Sequence, residues 1–474
     1  MHGKILTLLA ALASFLCASM PVFADGLPEK QVPGIDETRD SLSLESLRDY
    51  LSMIREKRPT VALVLSGGGA KGASHIGVIK CLDSLGIPVD VVLGTSMGGL
   101  IGSLYSLGYQ PEQMDSILRS FDWYVESMAE NIQYAGTERK YDQIHFGAAK
   151  GEDATRVVRD NLLGSLPSGF AFGQNVNNIF SSLTVGYQDN MSFEELPIPF
   201  VCVATEMVTA KPKIWYEGKL NTALRSTMSI PGVFAPVRTD GMVLVDGGMR
   251  DNYPTDIAKA MGADIIIGVD LSSGFRDYSG LNNLGDIISQ GVDMLGRESY
   301  EKNVGIPDVT IKPSLDEFTM MSFDDRSIST IIDRGYEAAL TQIDKLDSLK
   351  ALIGPFRTEL HNRRAIDINS EPVRISSVEI TGVSDKESRY LMGKIGIRPN
   401  QTIGKGAIED AVAVLFGTNA FDYVTYELVG KSEPFGLRIH CKRGPIHQFG
   451  IGGRFDSEEI VSVLLNFGLN VHRL

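Results

Sequence analysis

The sequence predicts an α/β protein with a mostly parallel central sheet, followed by a small α+β module, and three observations carry that reading. From Pro59 onward, apolar strand-like runs alternate with helix-like runs, the pattern of a parallel sheet covered on both faces. With 474 residues, 43% of them apolar, the chain can bury a large core and hold more than one domain. Near Pro372 the texture changes to short alternating strands around two short helices, which marks a second unit.

The first 24 residues read as a secretory leader. Lys4 gives a positive start, Ile5 to Leu16 an apolar run, and Val22-Phe23-Ala24 a small-residue cleavage site. An uncleaved membrane helix is the alternative, but the run is short for a bilayer. The net charge of −14 repels polyanions, so no nucleic acid partner is expected. Of four cysteines, Cys17 lies in the leader, and Cys81, Cys202 and Cys441 are expected as buried free thiols rather than a disulfide framework. No later stretch is long and apolar enough for a spanning helix, so a membrane role would come from a barrel, a surface helix or the substrate.

Residues 25–58 read as a linker and a leading helix over Leu42 to Ile54. The main domain is expected over 59–354. It runs strand Val61 to Leu65, helix Ala73 to Leu85, strand Val89 to Leu93 and helix Gly99 to Leu107, then a helical and loop region to about Tyr187. Strands return at Phe200 to Thr205, Met242 to Val245, Ile265 to Val269 and Val309 to Ile311. A charged linker over 355–372 leads to the module at 373–443, with the order β-α-α-β-β, and residues 444–474 hold two further alternating strands.

Three strings in the main domain carry chemistry. The turn Ser66-Gly67-Gly68-Gly69-Ala70-Lys71-Gly72 follows a strand and opens a helix, so its amides and the helix N-terminus can face an anion. A Walker-type loop would end in Lys followed by Ser or Thr, whereas Ala73 follows Gly72. A dinucleotide site would place an acid at the end of the next strand, but that strand ends in Gly94-Thr95-Ser96-Met97-Gly98. A serine in Gly-x-Ser-x-Gly between strand and helix is the context of a nucleophile elbow, where strain projects the hydroxyl and glycines relieve crowding. Third, the strand Val243-Leu244-Val245 delivers Asp246 into Gly247-Gly248; the alternative is an ordinary Asp-Gly turn.

A serine nucleophile needs a base, usually histidine. Past Asp246 the histidines are His361, His440, His447 and His472, all in the linker or beyond; His145 falls in a loop-like region, and His75 packs or caps on the helix leaving the glycine loop. That leaves a dyad in which Asp246 takes the proton of Ser96. Amides of Gly67, Gly68, Gly69, Ala70, Lys71 and Gly72 hold the oxyanion. Neither metal nor cofactor is required.

These residues resemble the patatin-like phospholipase family. The Gly-Gly-Gly-Ala-Lys-Gly loop, Gly-Thr-Ser-Met-Gly and Asp-Gly-Gly stand in that family's order, and the likeness extends through Ser229 to Pro236 and Asn252-Tyr253-Pro254. The resemblance implies a patatin-like sandwich, a Ser–Asp dyad, no metal, and cleavage of phospholipids or other acyl-ester lipids, with a membrane surface as partner and a homodimer left open. The module at 373–443 resembles a POTRA domain, and 444–474 the opening strands of an outer-membrane barrel. A barrel needs about eight strands or more, so the chain resembles a patatin-type autotransporter cut short. Export to the outer membrane or periplasm, with the cell surface left open, is the localisation this implies.

A second class stays open: an outer-membrane secretion or assembly protein whose patatin-like domain is a passenger or scaffold. Two further features have bland alternatives. Phe121, Trp123 and Tyr124 could form a lid, with core packing the ordinary reading, and Lys71 could face a lipid phosphate, with a solvated loop lysine the ordinary reading.

Overall fold

The computed structural model describes residues 37–120, 143–147, 169–171, 174–272, 274–275, 284–354, 366, 368, 371–418, 420–443, 447–454 and 462–469. The expected leader, most of the 355–372 linker, and Phe121, Trp123 and Tyr124 lie outside them.

Strand β1 (Val61–Leu65) shows why the main sheet forms where it does: all five residues are buried. Val61, Leu63 and Leu65 join one apolar cluster, Ala62 and Val64 the other, so both faces are covered. Beside it run β2 (Val91–Thr95), β3 (Phe200–Glu206), β4 (Lys211–Trp215), β5 (Val237–Thr239), β6 (Met242–Asp246), β7 (Ile265–Val269) and β8 (Val309–Ile311). The order is β5-β6-β3-β2-β1-β7-β8, with β4 on β3. The β3-β2-β1-β7-β8 pairings are parallel; β4, β5 and β6 add antiparallel pairs. The α/β class with a mostly parallel central sheet is thus observed, while β4 and β5, short and partly exposed, have no counterpart in the sequence reading.

The expected leading helix is present and packs on the sheet. Helix α1 (Glu37–Arg55) buries Leu47 and Leu51 against Val64, Leu93 and Tyr253, covering one face of the sheet. Arg58 forms a bidentate ion pair with Asp90 at 2.6 and 2.8 Å, both side chains being buried. Asp90 also accepts the Val61 N–H at 2.7 Å. These bonds hold Asp90 outside the strand, so β2 begins at Val91, two residues later than expected. Gly94 and Thr95 therefore belong to the strand, and Ser96 is the first residue after it.

The module at 373–443 forms its own four-stranded sheet from β9 (Val373–Thr381), β10 (Gln401–Ile403), β11 (Phe421–Val429) and β12 (Phe435–Arg443), in the order β10-β9-β12-β11. Two helices, Asp385–Ile395 and Lys405–Phe416, pack on it. The short β10 between them makes the order β-α-β-α-β-β; three residues, two of them exposed, leave no alternation to read. Ile368 and Val185 complete this core, so the module's packing reaches back into both the linker and the main domain. His447–Arg454 and Ser462–Leu469 pair antiparallel, with Gln143–Gly147 on the other side of the first. His145 is thus in a strand, not a loop. Among the described residues no helix is long and apolar enough to cross a membrane.

Candidate active site

The register of β3 brings the serine and the aspartate together. Parallel β2 aligns Thr95 with Val203 on one side, and antiparallel β6 aligns Asp246 with Ala204 on the other. Residues 150 positions apart thereby come to the same level of the sheet, one on either side of β3. Ser96 Oγ donates to Asp246 Oδ2 at 2.7 Å, and both residues are buried.

Ser96 sits at φ 54°, ψ −124°, a region an L-residue rarely occupies and one that stores about 1–3 kcal/mol of strain. The surrounding glycines allow the turn. A Cβ on Gly94 would lie 2.4 Å from Gly98 O, and one on Gly98 2.2 Å from Leu65 O, because helix α2 (Met97–Leu107) starts directly against the sheet. Thr227 secures the bend: its Oγ1 accepts the Ser96 N–H at 2.9 Å and donates to Val203 O.

Asp246 Oδ1 accepts the Gly248 N–H at 2.8 Å. Burial pushes its carboxyl up to about 6, against the lowering pull of the Ser96 and Gly248 hydrogen bonds. It is therefore ionised at neutral pH yet far more basic than an exposed aspartate.

The glycine loop lies across the cleft from this pair. Gly67 donates to Asn252 O at 3.2 Å and Ala70 to Met320 O at 2.9 Å, so these two amides of the expected set are already engaged. The Gly68 and Gly69 amides have no acceptor among the described residues, and both glycines line an open cleft of about 700 Å³ that also includes Ser96 and Asp246. Gly69, at φ +57° with Met320 O 2.5 Å from a Cβ position, admits only glycine. Lys71 lines the same cleft but is buried, which corrects the reading of it as a solvated loop lysine. Ala70 and Gly72 form the 3-10 turn into the next helix.

His75 is fully buried, its Nε2 donates to Ser66 O at 2.8 Å, and burial pushes its pKa down to about 4. It is a neutral packing residue that steadies the loop. His440 bonds Thr381 and Glu427 in the C-terminal module.

The sequence reading missed two residues as site components. Asn252 ties the glycine loop to the acid turn through its carbonyl and through Nδ2, which donates to Gly67 O at 3.3 Å. Thr227 is the other, because a threonine at the end of a helix carries no signal of what its hydroxyl reaches. Asp251, beside Asn252, accepts from Thr95 Oγ1 through its carbonyl at 2.8 Å; burial and the neighbouring Asp256 push its carboxyl upward.

Residues 63–259, which hold the loop, Ser96 and Asp246, match the family of patatin-like phospholipases. That stretch of the chain is similar to a patatin-like phospholipase domain. It is similar to patatin-like phospholipase domain-containing protein 7 of Rattus norvegicus, 31% identical over 48% of this chain and 15% of the relative. It is also similar to lysophospholipase NTE1 of Mycosarcoma maydis, 26% identical over 61% of this chain and 15% of that protein. The chain thus spans about 15% of the length of these relatives. Among solved structures, VipD from Legionella pneumophila aligns at 15% identity with a TM-score of 0.32, covering 61% of this chain and 67% of that one. The patatin-like match ends well before residue 373, so the module and the strand pair after it stand outside the family region.

Proposed function

We propose that the protein is a serine lipid acyl hydrolase of the phospholipase A or lysophospholipase type, with Ser96 as nucleophile, Asp246 as proton acceptor and the Gly68 and Gly69 amides as oxyanion hole. The 2.7 Å hydrogen bond from Ser96 Oγ to Asp246 Oδ2, inside a cleft with two unengaged amides, carries the reading. Attack of Oγ on the ester carbonyl passes the hydroxyl proton to Asp246, and negative charge gathers on the carbonyl oxygen against the two amides. Collapse expels the alcohol, which takes the proton back from Asp246 and leaves an acyl-serine. Water, deprotonated by Asp246, then releases the fatty acid and restores the serine. The substrate class, phospholipid or another acyl-ester lipid at a membrane surface, rests on the names of the family and of the relatives.

The test is hydrolysis of acyl esters and lysophospholipids by the full chain, with labelling by a fluorophosphonate. Wild type should hydrolyse and label; Ser96→Ala should do neither. Equal hydrolysis by both would sink the assignment.

A secretion or assembly role is the second reading, favoured by the module's second apolar core and the antiparallel pair of strands His447–Arg454 and Ser462–Leu469. In it the module is a POTRA-like unit and the strand pair belongs to an outer-membrane barrel, with the exported product in the outer membrane or periplasm. Fractionation of cells expressing the chain tests that placement.

A further inference from the structure

Beside the cleft that holds Ser96 lies a second of about 400 Å³. The two share Asn252, Ser272, Gly274 and Asp293, so they adjoin along one wall. The second does not reach Ser96 or the glycine loop; it touches Gly248, whose amide is bonded to Asp246. That places it on the acid's side of the site, and the proposed reaction gives this side a meaning. The leaving oxygen must take its proton from Asp246, so the leaving group lies towards Asp246, while the carbonyl oxygen turns to the Gly68 and Gly69 amides.

On this wall stands Arg297. Its guanidinium lies over Phe275 at 5.2 Å and over Tyr300 at 5.7 Å, and its Nε donates to Glu301 at 2.7 Å. Two rings and a carboxylate thus orient the group, while its Nη atoms have no hydrogen-bond partner among the described residues. An arginine so held presents a preorganised pair of donors that suits a phosphate.

Resting on the hydrolase reading above, we propose that this second cleft is the leaving-group subsite, in which Arg297 binds the phosphate of a phospholipid or lysophospholipid headgroup. Arg297 then sets preference between phosphate-bearing and neutral acyl esters.

The test separates binding from turnover. In full-length Ser96→Ala protein, calorimetry measures a short-chain lysophospholipid and the monoacylglycerol of the same acyl chain, both below their micellar concentrations. Arg297→Gln should weaken the lysophospholipid about 10- to 100-fold, the range for a lost charge-assisted hydrogen bond, and shift the monoacylglycerol less than about threefold; Arg297→Lys should recover part of the loss. In the active chain, Arg297→Gln should raise KM for the lysophospholipid with kcat little changed. Equal effects on the two lipids, no effect on either, or no binding of lysophospholipid by the parent protein would overturn the subsite. If binding depends on Arg297 while wild type neither labels nor hydrolyses, the hydrolase reading and the leaving-group role fail together, and phosphate binding by Arg297 stands.

Discussion

The cleft that holds Ser96 and the C-terminal module handle polar groups in opposite ways. At the cleft, Ser96, Asp246 and Thr227 are buried and bonded to one another or to backbone, and glycines let main chain touch main chain at Gly94, Gly98 and Gly247. The module is built on a second apolar core, which Val185 and Ile368 complete from outside it, and polar contacts gather where it meets the main domain. There Lys219 pairs with Glu427 at 2.9 Å, Asp189 accepts the Gly430 N–H at 3.1 Å, Gln188 accepts from Leu428 N–H, and Asn177 meets Tyr423. One region joins buried polar groups to one another and needs particular residue types; the other uses polar contacts to dock a unit whose core asks only for alternation.

That contrast can be broken or sharpened by measurement. Ser96→Ala should lower acyl-ester turnover about a thousandfold or more, with the melting curve nearly unchanged; a variant that keeps activity would show that the strained serine is structural. Gly98→Ala forces a Cβ to 2.2 Å from Leu65 O and should destabilise the chain by about 3 kcal/mol, read by urea unfolding, whereas Gly393→Ala in a module helix, where a Cβ meets nothing within 4 Å, should not destabilise it.

Asp246 ties activity to pH. With its carboxyl at about 6 in the folded chain, kcat/KM should fall about tenfold per pH unit below that value and level off above it. Its raised pKa also means that wild type loses stability as pH climbs from about 4 through 6, because ionisation is harder in the folded state. Asp246→Asn should therefore gain roughly 2–3 kcal/mol relative to wild type between pH 4 and pH 8; thermal melts across that range would show a flat difference if the carboxyl is not buried as described.

The smallest effect belongs to the docking contact. Burial would raise the Glu427 carboxyl, but hydrogen bonds from His440 and Lys219, and their charges, hold it at about 2. Its stabilising contribution is thus present above about pH 4.5 and lost as pH falls towards 2. Glu427→Gln should destabilise the chain by about 1 kcal/mol and leave kcat/KM within about twofold; a large fall in kcat/KM would mean the module reaches the cleft.

The cleft was more legible in the sequence than the rest. Ser96, Asp246 and the glycine loop stood out because each sits where a strand ends in a turn that only small residues allow, and steric demand of that kind leaves a string. The strand Val61–Leu65 was legible because burial on both faces leaves an unbroken apolar run. β4, β5 and β10 were not, since short strands with exposed residues derive their state from a neighbour's free edge. The start of β2 was misplaced by two residues because Asp90, which reads as part of the strand, is taken by Arg58 from outside it.

What the sequence determined by itself is therefore local: the sheet-forming runs, the elbow, the glycine loop and the acid turn. The tertiary structure decided which hydroxyl, amide and carboxylate meet. The register of β3 set Ser96 beside Asp246, Asn252 and Met320 took the Gly67 and Ala70 amides while those of Gly68 and Gly69 have no acceptor among the described residues, and Arg297 came to face the acid's side of the cleft. Those choices depend on contacts between residues up to about 250 positions apart, and no spacing along a chain encodes a distance across a sheet.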